Sequence, residues 1–481
     1  MKGSEEMSLP DVHITIEDGG LGILPPSNAG LQAKVGVCSI GNPNQIITLS
    51  DPSQIVAALG TGPLVDACFD SFGAGASTIY AVPATADIAG SIGAITTNTK
   101  TGTGNITVSG NPLDNYQVII SIMDAGNLNT ATFEYSLDGG DTYSQKTTVP
   151  SAGSYPIANT GLTLTFTAGT GTSFASGDEY TFTATAPSPS ISSIDAAIEV
   201  LFNSNLQYEF IHIVTPTDNT VWAALDSMAL EAEQNYRYIH FVTECRGLNA
   251  GETVDDWVTA ILALGANFAS TRVSICAGRA LITDNNTGLV VDRNGVGIYT
   301  GWVSYIPIQS SPGKVELGSL PSISALKPDG INYGHITSLD QAGFITFRQY
   351  IGYNGFYITN GRIKAEPTSD FQYVETRRVM DQICRNSRMA ALKFMQGELE
   401  INTDGTIKPN SLSNMEANLQ APLDQMVLDK QVSSGSITIP LNQNVLSTSK
   451  LQVKIRAIPI GIMREIDLDI GYTNPAISGQ S

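Results

Sequence analysis

The sequence predicts a multidomain chain of α+β and α/β type: a mixed sheet covered by helices, an inserted all-β domain, and an extended arm at each end. Three observations predict it. At 481 residues the chain exceeds what one hydrophobic core usually holds, so about two to four domains are expected. Helix-period and strand-period patterns alternate across residues 191–277, as in a parallel or mixed sheet with helical crossovers. Between residues 88 and 187, 20 of 100 residues are Thr and Lys100 and Lys146 are the only bases. A Thr-rich stretch cut by turn signals reads as β structure.

Taken in order, residues 1–30 read as an N-terminal arm. Val12, Ile14 and Ile16 alternate with His13, Thr15 and Glu17, the period of a half-buried strand. The glycines and prolines of 19–26 then keep that strand from folding back closely, so its backbone groups need a partner elsewhere. Residues 31–87 suggest a strand at 34–40, a helix opened by Asp51-Pro52, a second helix over 63–72 and a strand over 78–82. The insertion, 88–186, carries strand runs at 105–109, 116–122, 132–136, 162–167 and 180–185. Asp138-Gly139-Gly140-Asp141 gives a hairpin turn. An immunoglobulin-like sandwich that leaves through Pro187-Ser188-Pro189-Ser190 is expected.

The α/β region, 31–87 with 187–360, should hold helices at 193–202, 219–235 and 254–268 and strands at 209–214, 238–243 and 273–277. Residues 284–358 look loop-rich, with short strands near 303–308 and 355–359. A C-terminal domain, 361–465, should begin with a capping box at 369–372 and a long helix to about 395, followed by a helix over 410–428. Two alternating strands close the chain: Leu451, Val453 and Ile455, then Ile466, Leu468 and Ile470 among Asp467 and Asp469. The second belongs to a C-terminal arm, 466–481.

Charge and chemistry narrow the function. A net charge of −20 opposes phosphate binding, which needs clustered Lys and Arg. No apolar run approaches the roughly 20 residues of a membrane span, and the first residues lack a signal-peptide core, so a chain made and kept in the cytoplasm is expected. The five cysteines are dispersed and form no C-x-x-C pair; free thiols in a reducing compartment are expected. No nucleophile elbow, H-E-x-x-H or Walker loop occurs. Asp195, His212 and Ser227 could be imagined as a triad, but His212 and His240 lie inside strand patterns and read as structural. Gly60-Thr61-Gly62 and Gly295-Val296-Gly297 read as turns. Asp124, Asp138 and Asp141 suggest a calcium site less readily than hairpin-turn aspartates. No cofactor is expected.

The closing strands carry a resemblance. The segment Lys450-Leu451-Gln452-Val453-Lys454-Ile455-Arg456, then Ile458-Pro459-Ile460-Gly461, Arg464-Glu465-Ile466 and Ile470-Gly471-Tyr472-Thr473-Asn474-Pro475, resembles the ending of contractile phage tail sheath proteins. So do the basic helix from Arg377-Arg378 to Lys393 and the helix containing Ala421-Pro422-Leu423. Nearer the N-terminus, Gly62-Pro63-Leu64-Val65-Asp66-Ala67-Cys68-Phe69, Gly73-Ala74-Gly75 and Thr78-Ile79-Tyr80-Ala81-Val82 look like the helix–glycine–strand element of that family. These matches span about half the chain; the insertion lies outside the shared pattern.

The resemblance implies a structural, non-enzymatic subunit that polymerises as stacked rings around an inner tail tube and contracts to drive the tube through a cell envelope. Baseplate and tail terminator proteins would be further partners, without direct nucleic-acid contact or membrane insertion. The particle would be a virion tail or injection-particle sheath, assembled in the bacterial cytoplasm. Subunits would be linked by strand addition, with Val12, Ile14, Ile16, Ile466, Leu468 and Ile470 as donors and Leu451, Val453 and Ile455 in the receiving sheet. Arg377, Arg378, Arg385, Arg388 and Lys393 on one helix form an expected tube-facing surface. Two other classes stay open: an α/β hydrolase with a β accessory domain, and a receptor- or sugar-binding β-sandwich.

Overall fold

The computed structural model describes residues 29–472. Val12, Ile14 and Ile16, and with them all of the expected N-terminal arm but its last two residues, lie outside the described residues. The central element is a seven-stranded sheet in the order Phe344–Ile345, Val273–Cys276, His240–Glu244, Phe210–Pro216, Gln32–Gly36, Ile79–Pro83, Ile47–Leu49. All neighbours pair in parallel except the last two, which are antiparallel. Helices Ile191–Phe202, Asn219–Gln234 and Val254–Gly265 cover one face. There Val35, Ile211, Ile213, Phe241 and Ile275 pack with Trp222 and Trp257. These helices start where the sequence offers caps: Ser190, Asp218 and Thr253 each accept a backbone N–H of the first turn, which satisfies donors the helix itself leaves free.

The opposite face is covered by Pro63–Gly73 and Val296–Tyr305. The second of these replaces the strand expected near 303–308. Its sequence is apolar all round and rich in strand formers, because almost every side chain is buried, so no amphipathic period exists to be read. Gly297 and Gly301 stand one turn apart on the side facing Pro63–Gly73. A Cβ on Gly297 would meet Asp70 Cβ at 2.8 Å, and one on Gly301 would meet the Ser71 carbonyl oxygen at 2.3 Å. The glycines set how closely the two helices approach; Gly297 is a packing residue and not part of a turn. The stretch expected to be loop also holds the strands Val290–Asn294 and Ile323–Lys327, which flank Arg279–Thr283 in an antiparallel sheet, and the helix Tyr333–Gln341.

Residues 91–185 form two antiparallel sheets. One has the order Ser154–Ile157, Leu162–Thr167, Asn105–Gly110. The other is built on Glu179–Thr185, Tyr116–Asp124 and Thr132–Ser136. They share a core of Ile106, Val118, Ile120, Phe133, Leu164, Phe166 and Tyr180, the alternating inward residues of each strand. The chain enters and leaves at one point, where Ile88 and Ser188 exchange backbone hydrogen bonds of 3.0 and 2.9 Å.

The last described region contains the long helix Val374–Leu392, the helix Pro409–Leu428 and the antiparallel pair Val432–Thr438 and Lys454–Pro459. The expected capping box at 369–372 does not form. Tyr373 occupies the N-cap without a side-chain bond, and the Val374 N–H donates instead to the Gly361 carbonyl at 2.8 Å. Among the described residues no helix is long and apolar enough to cross a membrane.

Candidate functional site: the C-terminal sheet and its trailing segment

The long helix Val374–Leu392 is held to the α/β region by buried ion pairs. Arg378 donates through Nε and Nη2 to Glu209 at 2.6 and 3.1 Å, and Glu209 Oε2 also accepts from the Gly30 N–H at 2.9 Å. Arg377 Nη2 donates to Asp381 at 2.6 Å, and Arg272 Nη1 reaches the same carboxylate at 3.3 Å and the Ile239 carbonyl at 2.7 Å. Burial alone would raise the Glu209 carboxyl, but Arg378, together with Arg385 and the Gly30 N–H, holds the group below its usual range. Beside this network lies His240, fully buried, with neither ring nitrogen hydrogen-bonded.

These contacts correct the expected tube-facing surface. Arg377 and Arg378 point into the subunit and are neutralised there. Arg385 donates to the Tyr238 carbonyl at 2.8 Å and is half-buried. Only the far end of the helix presents base outward: Arg388 lies over the Tyr236 ring, 4.4 Å from its centroid, and Lys393 is exposed. The sequence showed five bases and Asp381 on one helix but not the acids from elsewhere in the chain, Glu209 and Glu233, that join Asp381 in taking up the helix and Arg272.

Helix Pro409–Leu428 packs Leu423 and Met426 on one face of the two-stranded sheet. Ile437, Ile455 and Ala457 turn toward that helix, and Leu451 and Val453 join a neighbouring cluster with Ile407, Leu412 and Ile439. The strand begins at Lys454, three residues later than Leu451, but the inward alternation Leu451, Val453, Ile455 is as expected. Each strand has the other as its partner, so each leaves one edge open among the described residues.

Beyond Pro459 the chain turns back to the body at Arg464. This residue donates to Asn360 Oδ1 at 2.8 Å and to Glu375, and its guanidinium stacks 3.4 Å from the centroid of the Tyr373 ring. Glu375 is 2% exposed; burial pushes its carboxyl upward even with Arg464 against it. Past this anchor no strand forms among the described residues. Ile466, Leu468 and Ile470 are 69%, 77% and 86% exposed, and Glu465, Asp467 and Asp469 make no ion pair within the described residues. Arg464 is the residue sequence reasoning missed; a base beside an otherwise acidic strand was the available signal.

The imagined catalytic and metal groups are not assembled. His212 Nδ1 lies 2.8 Å from Lys34 Nζ in a fully buried site, and Lys34 also donates to Thr300 at 2.9 Å. Ser227 spends its hydroxyl on the Ala223 carbonyl. Asp138 accepts from Ser136, Thr142 and the Val290 N–H, while Asp124 pairs with Lys146 and Thr132. Both act as turn and strand-end aspartates. Among the described residues no group of His, Cys, Asp and Glu could hold a metal ion.

Comparison with known proteins gives this geometry its context. The family model DUF2586, N-terminal domain, matches residues 9–362, and DUF2586, C-terminal domain, matches residues 370–477. A tail sheath protein of Haemophilus phage HP1 (strain HP1c1) is 29% identical over 166 residues; the chain spans 42% of that protein's length with 32% of its own. Among solved structures, the sheath complex of an extracellular contractile injection system in its contracted state aligns with a TM-score of 0.55 at 10% identity, over 99% of this chain and all of that one. A chain of the anti-feeding prophage baseplate gives 0.52 at 10% identity, over 97% and 99%. At such identities the likeness speaks for the fold. The chain belongs to the DUF2586 family, and its mixed α/β fold is that of contractile injection-system sheath proteins.

Proposed function

We propose that this protein is the sheath subunit of a contractile phage tail or injection particle, a structural polymer former without enzymatic activity. The observation that carries this reading is the exposed apolar-and-acidic segment that trails from a two-stranded sheet with open edges. Three large apolar side chains in sequence alternation, each about two-thirds exposed or more, are a strand without a sheet. The sheath-like fold and the phage HP1 relative support the same reading.

In this proposal subunits form rings that stack helically around an inner tube, between a baseplate and a terminator protein, in a particle assembled in the bacterial cytoplasm. Ile466, Leu468 and Ile470 of one copy, and Val12, Ile14 and Ile16 of another, add strands to the sheet whose inner face includes Ile455. Residues 88–186 serve as an immunoglobulin-like outward decoration, and Arg388 with Lys393 are what remains of a basic contact toward the tube. Negative-stain microscopy of the purified protein tests the reading. Long hollow cylinders are expected; discrete monomeric particles under all assembly conditions would sink it.

A further inference from the structure

We infer that the acidic face of the trailing segment, Glu465, Asp467 and Asp469, is read by Lys454 and Arg456 on the open edge of a second copy of this chain. The inference rests on the sheath reading and adds to it which edge is used and what selects it.

Strand periodicity fixes the geometry. If Ile466, Leu468 and Ile470 turn toward the covering helix, Glu465, Asp467 and Asp469 must turn outward. On the receiving sheet, Ile455 and Ala457 face inward and Lys454, Arg456 and Ile458 face outward. A strand added beside Lys454–Pro459 therefore sets three carboxylates on the same face as two cations, where opposite charges on neighbouring strands stabilise and like charges destabilise. The other edge offers no such selection. The outward residues of Val432–Thr438 are Ser434, Ser436 and Thr438, opposite Ile458, Arg456 and Lys454. Neither cation is spoken for: within the described residues Lys454 makes no ion pair, and Arg456 reaches only its own neighbour's carbonyl, that of Ile455, at 3.0 Å.

The same logic explains why the partner is another copy. Only residues 460–464 separate the acidic segment from the basic edge in one chain, a length that hairpin loops commonly have. Self-pairing is prevented because Arg464 is spent on Glu375, Asn360 and Tyr373 and directs the chain away. Freeing it would leave the Glu375 carboxylate buried and unpaired. A strand complementary to its own edge but held off it is the arrangement from which identical subunits exchange strands.

Two full-length variants test this, Lys454→Glu with Arg456→Glu, and Asp467→Lys with Asp469→Lys. Each places like charge opposite like charge, and each alone is expected to lose cylinders while melting as the unaltered chain does. Mixed in equal amounts, they restore cylinders, because the acidic segment of the first fits the basic edge of the second and the reverse. Variants that assemble alone as the unaltered chain does, or a mixture that stays unassembled while both partners are folded, would overturn the inference. The unaltered chain run alongside separates the two levels. Its failure to form cylinders counts against the sheath reading itself, whereas cylinders from every variant alone count against the charge selection only.

Discussion

His240 is the residue at which the buried network meets an uncharged group. Burial first, and then Arg378, Arg272 and Arg377 against the opposing pull of Glu209, hold its folded pKa down to about 3, compared with an ordinary 6.5. Between those values the unfolded chain binds a proton that the folded chain refuses. Stability therefore falls as pH drops below about 6.5 and goes on falling toward about 3. At pH 5 this amounts to about 2 kcal/mol. His240→Phe removes the titration and two unsatisfied ring nitrogens, in a site already beside Phe210 at 5.3 Å. Urea unfolding should show the variant more stable than the unaltered chain, with the advantage larger by about 2 kcal/mol at pH 5 than at pH 7. An advantage equal at both pH values would mean the folded site accepts the imidazolium. The sequence reads this histidine as a structural residue in a strand, and it is one, but the long-range ion pairs around it were not legible, since their partners lie far away in the chain: Glu209 and Arg378 are 169 residues apart.

Elements with a clear amphipathic period were legible; elements buried on every side, or too short to show a period, were not. The strands Thr132–Ser136 and Leu162–Thr167 and the helices Asn219–Gln234 and Pro409–Leu428 stand within a residue or so of where periodicity put them. Val296–Tyr305 was lost because its burial erased the period, and Tyr333–Gln341 because its charge-poor nine residues give too little pattern. The all-β segment was legible from composition, and its geometry yields a prediction. Its own core draws on residues 92–184, and its two ends already touch through Ile88 and Ser188. Replacing residues 89–187 by a short Gly-Ser bridge should then leave the rest of the chain folded, with loss of one Val290–Asp138 bond and a modest fall in melting temperature. The excised segment should melt cooperatively by itself. Calorimetry on both pieces decides it: an unfolded remainder, or a segment without a transition, would show the two share one cooperative unit. Persistence of cylinders in the shortened chain would further place the segment outside the essential lattice contacts.

At the scale of the whole molecule the question is what joins one copy to the next, and the strongest lever is the two ends of the chain. In the sheath proposed above each arm would offer three large apolar residues, Val12, Ile14 and Ile16 at the front and Ile466, Leu468 and Ile470 at the back. Complete burial of three such side chains contributes roughly 5–9 kcal/mol, from which the cost of ordering the segment must be subtracted. In the proposed sheath a single arm would thus be a link of moderate strength, and the lattice would need many of them acting together. Backbone pairing also suits a sheath that contracts, because a strand held by its hydrogen bonds can swing with its neighbour if the lead behind it bends. Arg464 fixes where that lead begins at the back of the molecule. Removing residues 466–481 should leave Arg464 and the subunit core intact, so the melting temperature should change little while cylinders disappear. Removing residues 1–18 should act in the same way, giving folded monomers or isolated rings. Sedimentation velocity with microscopy reads both. Cylinders of full length from either truncated chain would show that the arm removed is not the connection, and would move the link to the remaining end or to the body of the subunit.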